Sequence, residues 1–207
     1  MGANVIEAAK IQILSEAKAV ADVANQLDES FIEIAKLLLV CEGKVIVTGS
    51  GTSGATGRRL AHLLSVCGTP AVYLHPMDSL HGTMGAVTPK DVVIAISKGG
   101  ESAEINQLCT ILKSKGSTII ALTAEADSTL GRLSNVKAIV TTPEGADPGN
   151  TIAMGSTLVT SVWGDALAYV LMRLRKVPWE QMMSTHPGGA VGLRKDLPVA
   201  LEPLSLE

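Results

Sequence analysis

The segment Val92-Val93-Ile94-Ala95-Ile96-Ser97-Lys98-Gly99-Gly100-Glu101-Ser102 decides the fold. Its continuous Val/Ile run suits a strand buried on both faces, and it leads into a small, hydroxyl-bearing turn followed by a helix-like pattern. Glycines let a backbone approach an anion, while Ser97 and Ser102 bring hydroxyl donors. The free amides that open the next helix add further donors and a positive dipole. An earlier segment repeats the design, with Lys44-Val45-Ile46-Val47-Thr48 feeding Gly49-Ser50-Gly51-Thr52-Ser53-Gly54. Two such loops in one parallel sheet point to a phosphorylated small molecule held between strand ends.

Outward from these loops, apolar runs of about five residues alternate with helical patterns. Strands are predicted near 44–48, 71–74, 91–96, 118–122 and 137–141, and helices near 54–67, 101–115 and 155–175. Short Gly-containing connections at 68–70 and 116–117 fit helix-to-strand turns. This alternation predicts an α/β fold, a doubly wound five-stranded parallel sheet flanked by helices, with ligands at the carboxyl ends of the strands. Upstream, Ile6, Ala9, Ile13, Ala17, Val20, Ala24 and Leu27 recur at helical spacing. Asp28 or Ser30 then caps a second helix over 31–40, which completes an N-terminal helical hairpin. A single domain is expected, divided into the hairpin (1–41), the α/β core (42–176) and a C-terminal tail (177–207).

Composition removes several function classes. The chain has 207 residues, is 46% hydrophobic and carries a net charge of −3. With no basic stripe and one Phe, two Tyr and two Trp for stacking bases, a nucleic-acid partner is not expected. The apolar runs are shorter than the roughly 20 residues that span a bilayer. Met1-Gly2-Ala3-Asn4 lacks a basic region followed by an apolar core, so a cytoplasmic protein with no membrane partner is expected. Cys41, Cys67 and Cys109 are odd in number, widely spaced and set in apolar stretches, as reduced core thiols are.

The first loop also matches GxGxxG through Gly49, Gly51 and Gly54. A dinucleotide site needs an acidic residue about 20 positions on, yet Tyr73 and Leu74 end the next strand, and no Lys follows to make a P-loop.

The order GSGTSG, SLHGTMGAVTPKDVVIAISKGGESAE and STHPGGAVG, together with Gly164-Asp165-Ala166-Leu167-Ala168, resembles the sugar isomerase (SIS) domain of the arabinose 5-phosphate isomerases. The resemblance implies interconversion of an aldose phosphate and a ketose phosphate through an enediol, with no metal or organic cofactor. Such chemistry needs a carboxylate to shuttle a proton, a group to polarise the carbonyl and fixed donors for the phosphate. Carried over position by position, the carboxylates fall on Glu101 and Glu144 and the histidines on His81 and His186. Glu144 lies in a Gly/Pro-rich connection one residue longer than the family pattern, and is the first choice for the base. Ser50, Thr52, Ser53, Ser97, Lys98 and Ser102 are the expected substrate-binding residues. The resemblance further implies a homodimer or homotetramer whose sites are completed by a neighbouring subunit, and a pair of CBS regulatory domains that is not found in this chain.

Each residue also admits a plainer reading. Glu101 complements a helix dipole, Glu144 is an exposed loop carboxylate, Ser97 and Ser102 are caps, and His81 and His186 mark ordinary turns. His62 and His75 are read as structural, and Asp165 as a buried, paired anchor. Two departures from the family bear on substrate. Thr52 stands where the family loop commonly has Lys, and Gly99 where the second loop has Ser. Lys98 either restores the lost charge as a point donor or is solvated at the rim. Two alternatives follow: a non-catalytic sugar-phosphate sensor, or a 6-phospho-3-hexuloisomerase on the same scaffold.

Overall fold

A computed structural model describes residues 4–206; the expectation about a leader rests partly on residues 1–3, outside the described range. Five strands, β1 (Val45–Gly49), β2 (Ala71–Tyr73), β3 (Val92–Ile96), β4 (Thr118–Thr123) and β5 (Val136–Ile139), form one sheet in the order β2-β1-β3-β4-β5. All pairings are parallel, with Val47 opposite both Tyr73 and Ile94 and with Ile94 opposite Ile120. The order reverses between β1 and β3, so a crevice opens at their carboxyl ends.

Eight α-helices accompany the sheet: α1 (Val5–Asp22), α2 (Glu29–Leu39), α3 (Gly51–Val66), α4 (Pro76–Leu80), α5 (Ala103–Ser114), α6 (Thr129–Leu133), α7 (Gly155–Leu174) and α8 (Trp179–Ser184). Alternation along β3 divides the core. Val92, Ile94 and Ile96 face α2, α3 and α7, while Val93 and Ala95 face α5 and Leu130 of α6. This is the period of two expected of a strand covered on both sides. Phe31 of α2 meets Trp163 of α7 edge to face, with ring centroids 5.6 Å apart.

The N-terminal helices pack chiefly on α7. Asp28 caps α2, its carboxylate accepting from the Ser30 amide at 2.9 Å. In α1 only Ala19 is fully buried, and Val5, Ile6, Ile11, Ile13 and Leu14 remain exposed. Gln12 donates to the Ala146 carbonyl (3.0 Å), and Gln26 bridges the amide and carbonyl of Thr141. The hairpin therefore holds the loop that joins β5 to α7.

Asp165 is paired with Arg59 through both carboxylate oxygens, which ties α7 to α3. Its side chain is nevertheless 38% exposed, so it is an anchor at the surface and not in the interior. All three cysteines are free; burial pushes the Cys109 thiol up to about 12. No helix among the described residues is long and apolar enough to cross a membrane.

Candidate functional site at the carboxyl edge of the sheet

Helix α3 begins three residues earlier than the pattern suggests, because Ser50 is extended and its carbonyl accepts from the Gly54 amide at 3.1 Å. Thr52, Ser53 and Thr56 therefore sit on the first turns of a helix, not in a loop. The turn demands glycine: a Cβ on Gly54 would lie 2.7 Å from the Gly49 carbonyl oxygen and 2.8 Å from Tyr73 Oη. Tyr73 Oη in turn donates to that carbonyl at 2.6 Å, fixing the tip of β1.

At this tip Ser50 Oγ donates to Glu104 Oε1 at 2.5 Å. Glu104 occupies the first turn of α5 and is only partly exposed. The Ser50 hydroxyl foremost, then its own backbone amide, hold its carboxyl below the usual range against a modest opposing effect of burial, and His75 acts in the same direction. The buried His75 Nδ1 has no hydrogen-bond partner among the described residues.

The tip of β3 is built as tightly. Ser97 is 5% exposed; its Oγ accepts from the Gly100 amide at 3.2 Å and lies 3.2 Å from Ser102 Oγ. Gly100 has φ +66°, and a side chain there would run into Ser128. Lys98 pins the loop to β4, its carbonyl accepting from the Ala124 amide (2.9 Å) and Thr123 Oγ1 (3.0 Å). Ser102 stands at the N-cap position of α5, but its side chain makes no capping hydrogen bond. The opening amides of α5 have no partner within the helix and are available to an anion, while the Ser102 hydroxyl is shared with Ser97.

Beside these tips a small solvent-open cleft separates the start of α3 from the start of α7. Thr52, Ser53 and Thr56 line one wall, Thr157 and Thr160 the other, and Leu122 and Val140 lie between them. Lys98 enters it and pairs with Asp147, Nζ to Oδ2, at 2.6 Å. Asp147 is 3% exposed, and its Oδ1 accepts from the amides of Met154 and Ser156, both at 2.9 Å. Burial alone would raise its pKa; the Lys98 ammonium and the Ser156 amide outweigh that and bring it to about 2.

The six expected substrate-binding residues gather at this edge. The four expected catalytic residues do not converge on it within one chain. Glu101 is exposed and accepts from the Thr129 amide at 2.7 Å, capping α6; the Thr129 side chain foremost, then that amide, with a smaller effect from Arg132, lower its pKa. Glu144 is exposed on the β5–α7 connection, two residues beyond Thr142 of the cleft. His81 ends α4 with its side chain in solvent. His186 lies 2.8 Å, through Nδ1, from the Met182 carbonyl and lines an apolar recess with Val66, at the far end of α3 from Ser50.

Glu104, Asp147 and Thr56 were not singled out by the sequence. Glu104 has a signal in retrospect, since an acid in the turn after the Ser/Gly loop points back at the preceding strand tip. Asp147 and Thr56 have none: a β5–α7 connection of this length conceals which of its residues folds inward, and Thr56 lies within the stretch of α3 whose start the pattern hides.

Residues 38–169 match the family model of the SIS domain. The chain belongs to the SIS domain family. This SIS chain is 37% identical to arabinose 5-phosphate isomerase KdsD of Shigella flexneri over 186 residues, 90% of this chain and 57% of that one. It is 38% identical to the enzyme of the same name from Pseudomonas aeruginosa over 189 residues, 91% of this chain and 58% of that one. The chain thus spans a little over half the length of the curated relatives it matches. Among solved structures, an E. coli CFT073 protein in complex with arabinose 5-phosphate superposes with a TM-score of 0.85 at 33% identity, covering 88% of this SIS chain and 97% of the other.

Proposed function

We propose that this chain is a phosphosugar aldose–ketose isomerase of the arabinose 5-phosphate isomerase type, acting by proton transfer through an enediol. The observation that carries the reading is the Ser50–Glu104 hydrogen bond at the β1/β3 crevice, which sets a carboxylate beside the hydroxyls of the Ser97–Ser102 loop and the opening amides of α5. Membership of a family whose curated relatives carry that activity supports it.

In this proposal Ser97, Ser102 and the opening amides of α5 hold the phosphate, with Ser50, Thr52, Ser53 and Lys98 around the sugar. Glu104 and Glu144 are the proton-transfer carboxylates. A carboxylate held ionised is able to remove a proton next to a carbonyl, and hydrogen-bond donors stabilise the negative charge that develops on the enediol oxygen. Glu101 acts through the loop: by capping α6 it fixes the turn that carries Ser102. His81 and His186 come from a neighbouring copy to assist ring opening or polarise an oxygen. The exposed aliphatic side chains of α1 support a homo-oligomer, since five large ones in one 18-residue helix lie open to water. The chain works as one SIS unit in the cytoplasm, and no metal or organic cofactor takes part.

The test is a coupled assay over a panel of five- and six-carbon ketose phosphates, with and without EDTA. Turnover of one of them, unaffected by the chelator, supports the proposal. Thermal stabilisation by a sugar phosphate without turnover of any moves the reading to the sensor.

A further inference from the structure

We infer that the cavity enclosed by the end of α7, by α8 and by the C-terminal tail is a second ligand site, separate from the crevice, and that it takes a small molecule with an apolar ring and one carboxylate. The cavity measures about 430 Å³ and opens to solvent, the size of a small-molecule site. Helix α7 runs 20 residues from the Asp147 end to this one, about 30 Å. The two places share no lining side chain, and occupancy here does not depend on chemistry at the crevice.

The chain braces this cavity and leaves it unfilled. Helix α7 ends in a paired turn, the Lys176 amide donating to the Arg173 carbonyl at 3.2 Å and the Val177 amide to the Met172 carbonyl at 3.1 Å. Val177 sits on Gly68, where a Cβ would meet it at 2.6 Å, and Arg175 ties the helix end to Thr69 Oγ1 (3.1 Å) and the Leu38 carbonyl (2.7 Å). The tail crosses opposite and is held at two points. Trp179 Nε1 donates to the Val199 carbonyl at 3.0 Å, and Arg173 Nε to the Glu202 carbonyl at 2.7 Å. Between them the tail spans the gap without closing it, for Val199 is 91% exposed and turns its side chain to solvent. An apolar wall without packed neighbours forfeits dispersion contacts, and a ligand restores them.

Ring and charge both follow from the lining. Met172, Val177, Trp179, Pro198 and Leu201 supply an apolar wall. Because the indole N–H is spent on Val199, Trp179 offers the cavity only ring surface. Two cations, Arg173 and Lys176, border it against one acid, Glu180, so its net charge is positive. Lys176 Nζ forms no ion pair among the described residues. Arg173 spends Nε on Glu202 and Nη1 on Tyr169 Oη, at 3.3 Å, and keeps Nη2 for a carboxylate. Lys176 also lies in the left-handed region with φ +54°, which glycine adopts at lower cost. A lysine at this turn brings a charge that glycine does not, and strain of this kind gathers at ligand sites.

Isothermal titration with 1-naphthoate and its neutral counterpart 1-naphthylmethanol tests the site without requiring turnover. The wild-type chain is expected to bind naphthoate about tenfold more tightly than the alcohol. Lys176→Gly relieves the backbone strain, so it is expected to keep or raise the thermal midpoint while abolishing most of that preference. Ala200→Trp, which fills the cavity from the tail, is expected to weaken both probes by about tenfold or more with the circular dichroism unchanged. Ser97→Ala, at the crevice, is expected to alter neither. No binding by the folded wild-type chain, equal affinity for the two probes, or binding unaltered by either Lys176→Gly or Ala200→Trp overturns the site. Loss only with the double change Ile13→Glu and Leu14→Glu places the probes on α1 and overturns it as well. A chain that turns over no ketose phosphate yet shows this pattern keeps the site and loses the isomerase.

Discussion

Lys98 and Asp147 face each other at 2.6 Å across the mouth of the cleft, and the carboxylate is also gripped by two amides that open α7. The pair joins the β3 loop to the α7 helix, so the two walls of the site hold their spacing. Its folded pKa of about 2 lies below the ordinary aspartate value of 3.8, and Asp91, buried on Lys44 and Thr88, is shifted the same way. A carboxyl with a depressed folded pKa contributes stability above its unfolded value and loses it as pH falls through the folded one. Stability is therefore expected to be level above about pH 4 and to fall between about pH 4 and 2. Asp147→Asn is expected to remove about 1–2 kcal/mol near neutrality, discounted because Lys98 is half exposed, and to flatten the acid slope. Urea unfolding at several pH values measures both.

Glu104→Gln keeps the shape of the side chain and its place beside Ser50 while removing its capacity to take a proton. Turnover is expected to fall by about 10²–10³-fold with little change in KM. Glu101→Gln is expected to fall far less in kcat and to show in stability, because its carboxylate is engaged by the Thr129 amide. Steady-state kinetics of the two variants side by side distinguishes a carboxylate at the reacting carbon from one that fixes the loop.

The β1–α3 turn leaves no room at Gly54, where a Cβ meets the Gly49 carbonyl and Tyr73 Oη at under 3 Å. Gly54→Ala is expected to cost about 1–3 kcal/mol and to weaken sugar-phosphate binding, since Ser50, Thr52 and Ser53 move with that turn. Tyr73→Phe removes the bond to the same carbonyl without the clash. A smaller loss is expected there, and thermal denaturation ranks the two.

On α1, Ile13 and Leu14 are 62% and 68% exposed. If a second copy covers this face, Ile13→Glu with Leu14→Glu lowers the mass seen by light scattering while the far-ultraviolet circular dichroism is retained. Turnover is then expected to fall with dissociation, because His186 lies too far along α3 to serve the Ser50 tip of its own chain.

The sheet was legible because continuous Val/Ile runs between Gly-marked turns leave few alternatives to a parallel, doubly covered strand. The Ser/Gly loops were legible for the same reason, each following such a run directly. Helices α4, α6 and α8 were not, since five or six residues such as Pro76–Leu80 show barely one turn of periodicity. The start of α3 is hidden from the pattern because Gly51, with φ +57°, reads as loop although it opens the helix. The apolar spacing of α1 is plain in the sequence, yet most of that stripe is not covered by this chain. Long-range polar pairs such as Lys98 with Asp147 or Ser50 with Glu104 join residues about 50 positions apart, and no local pattern records which of many such residues meet.

Central to the proposed activity is a carboxylate that moves a proton next to the carbonyl of a bound sugar phosphate. Incubating the chain with a ketose phosphate in D2O and following the C1 and C2 protons by NMR tests this directly. The expected result is aldose phosphate carrying deuterium at C2, formed by the wild-type chain and nearly absent with Glu104→Gln. A ketose phosphate that binds and is recovered with neither exchange nor conversion contradicts it.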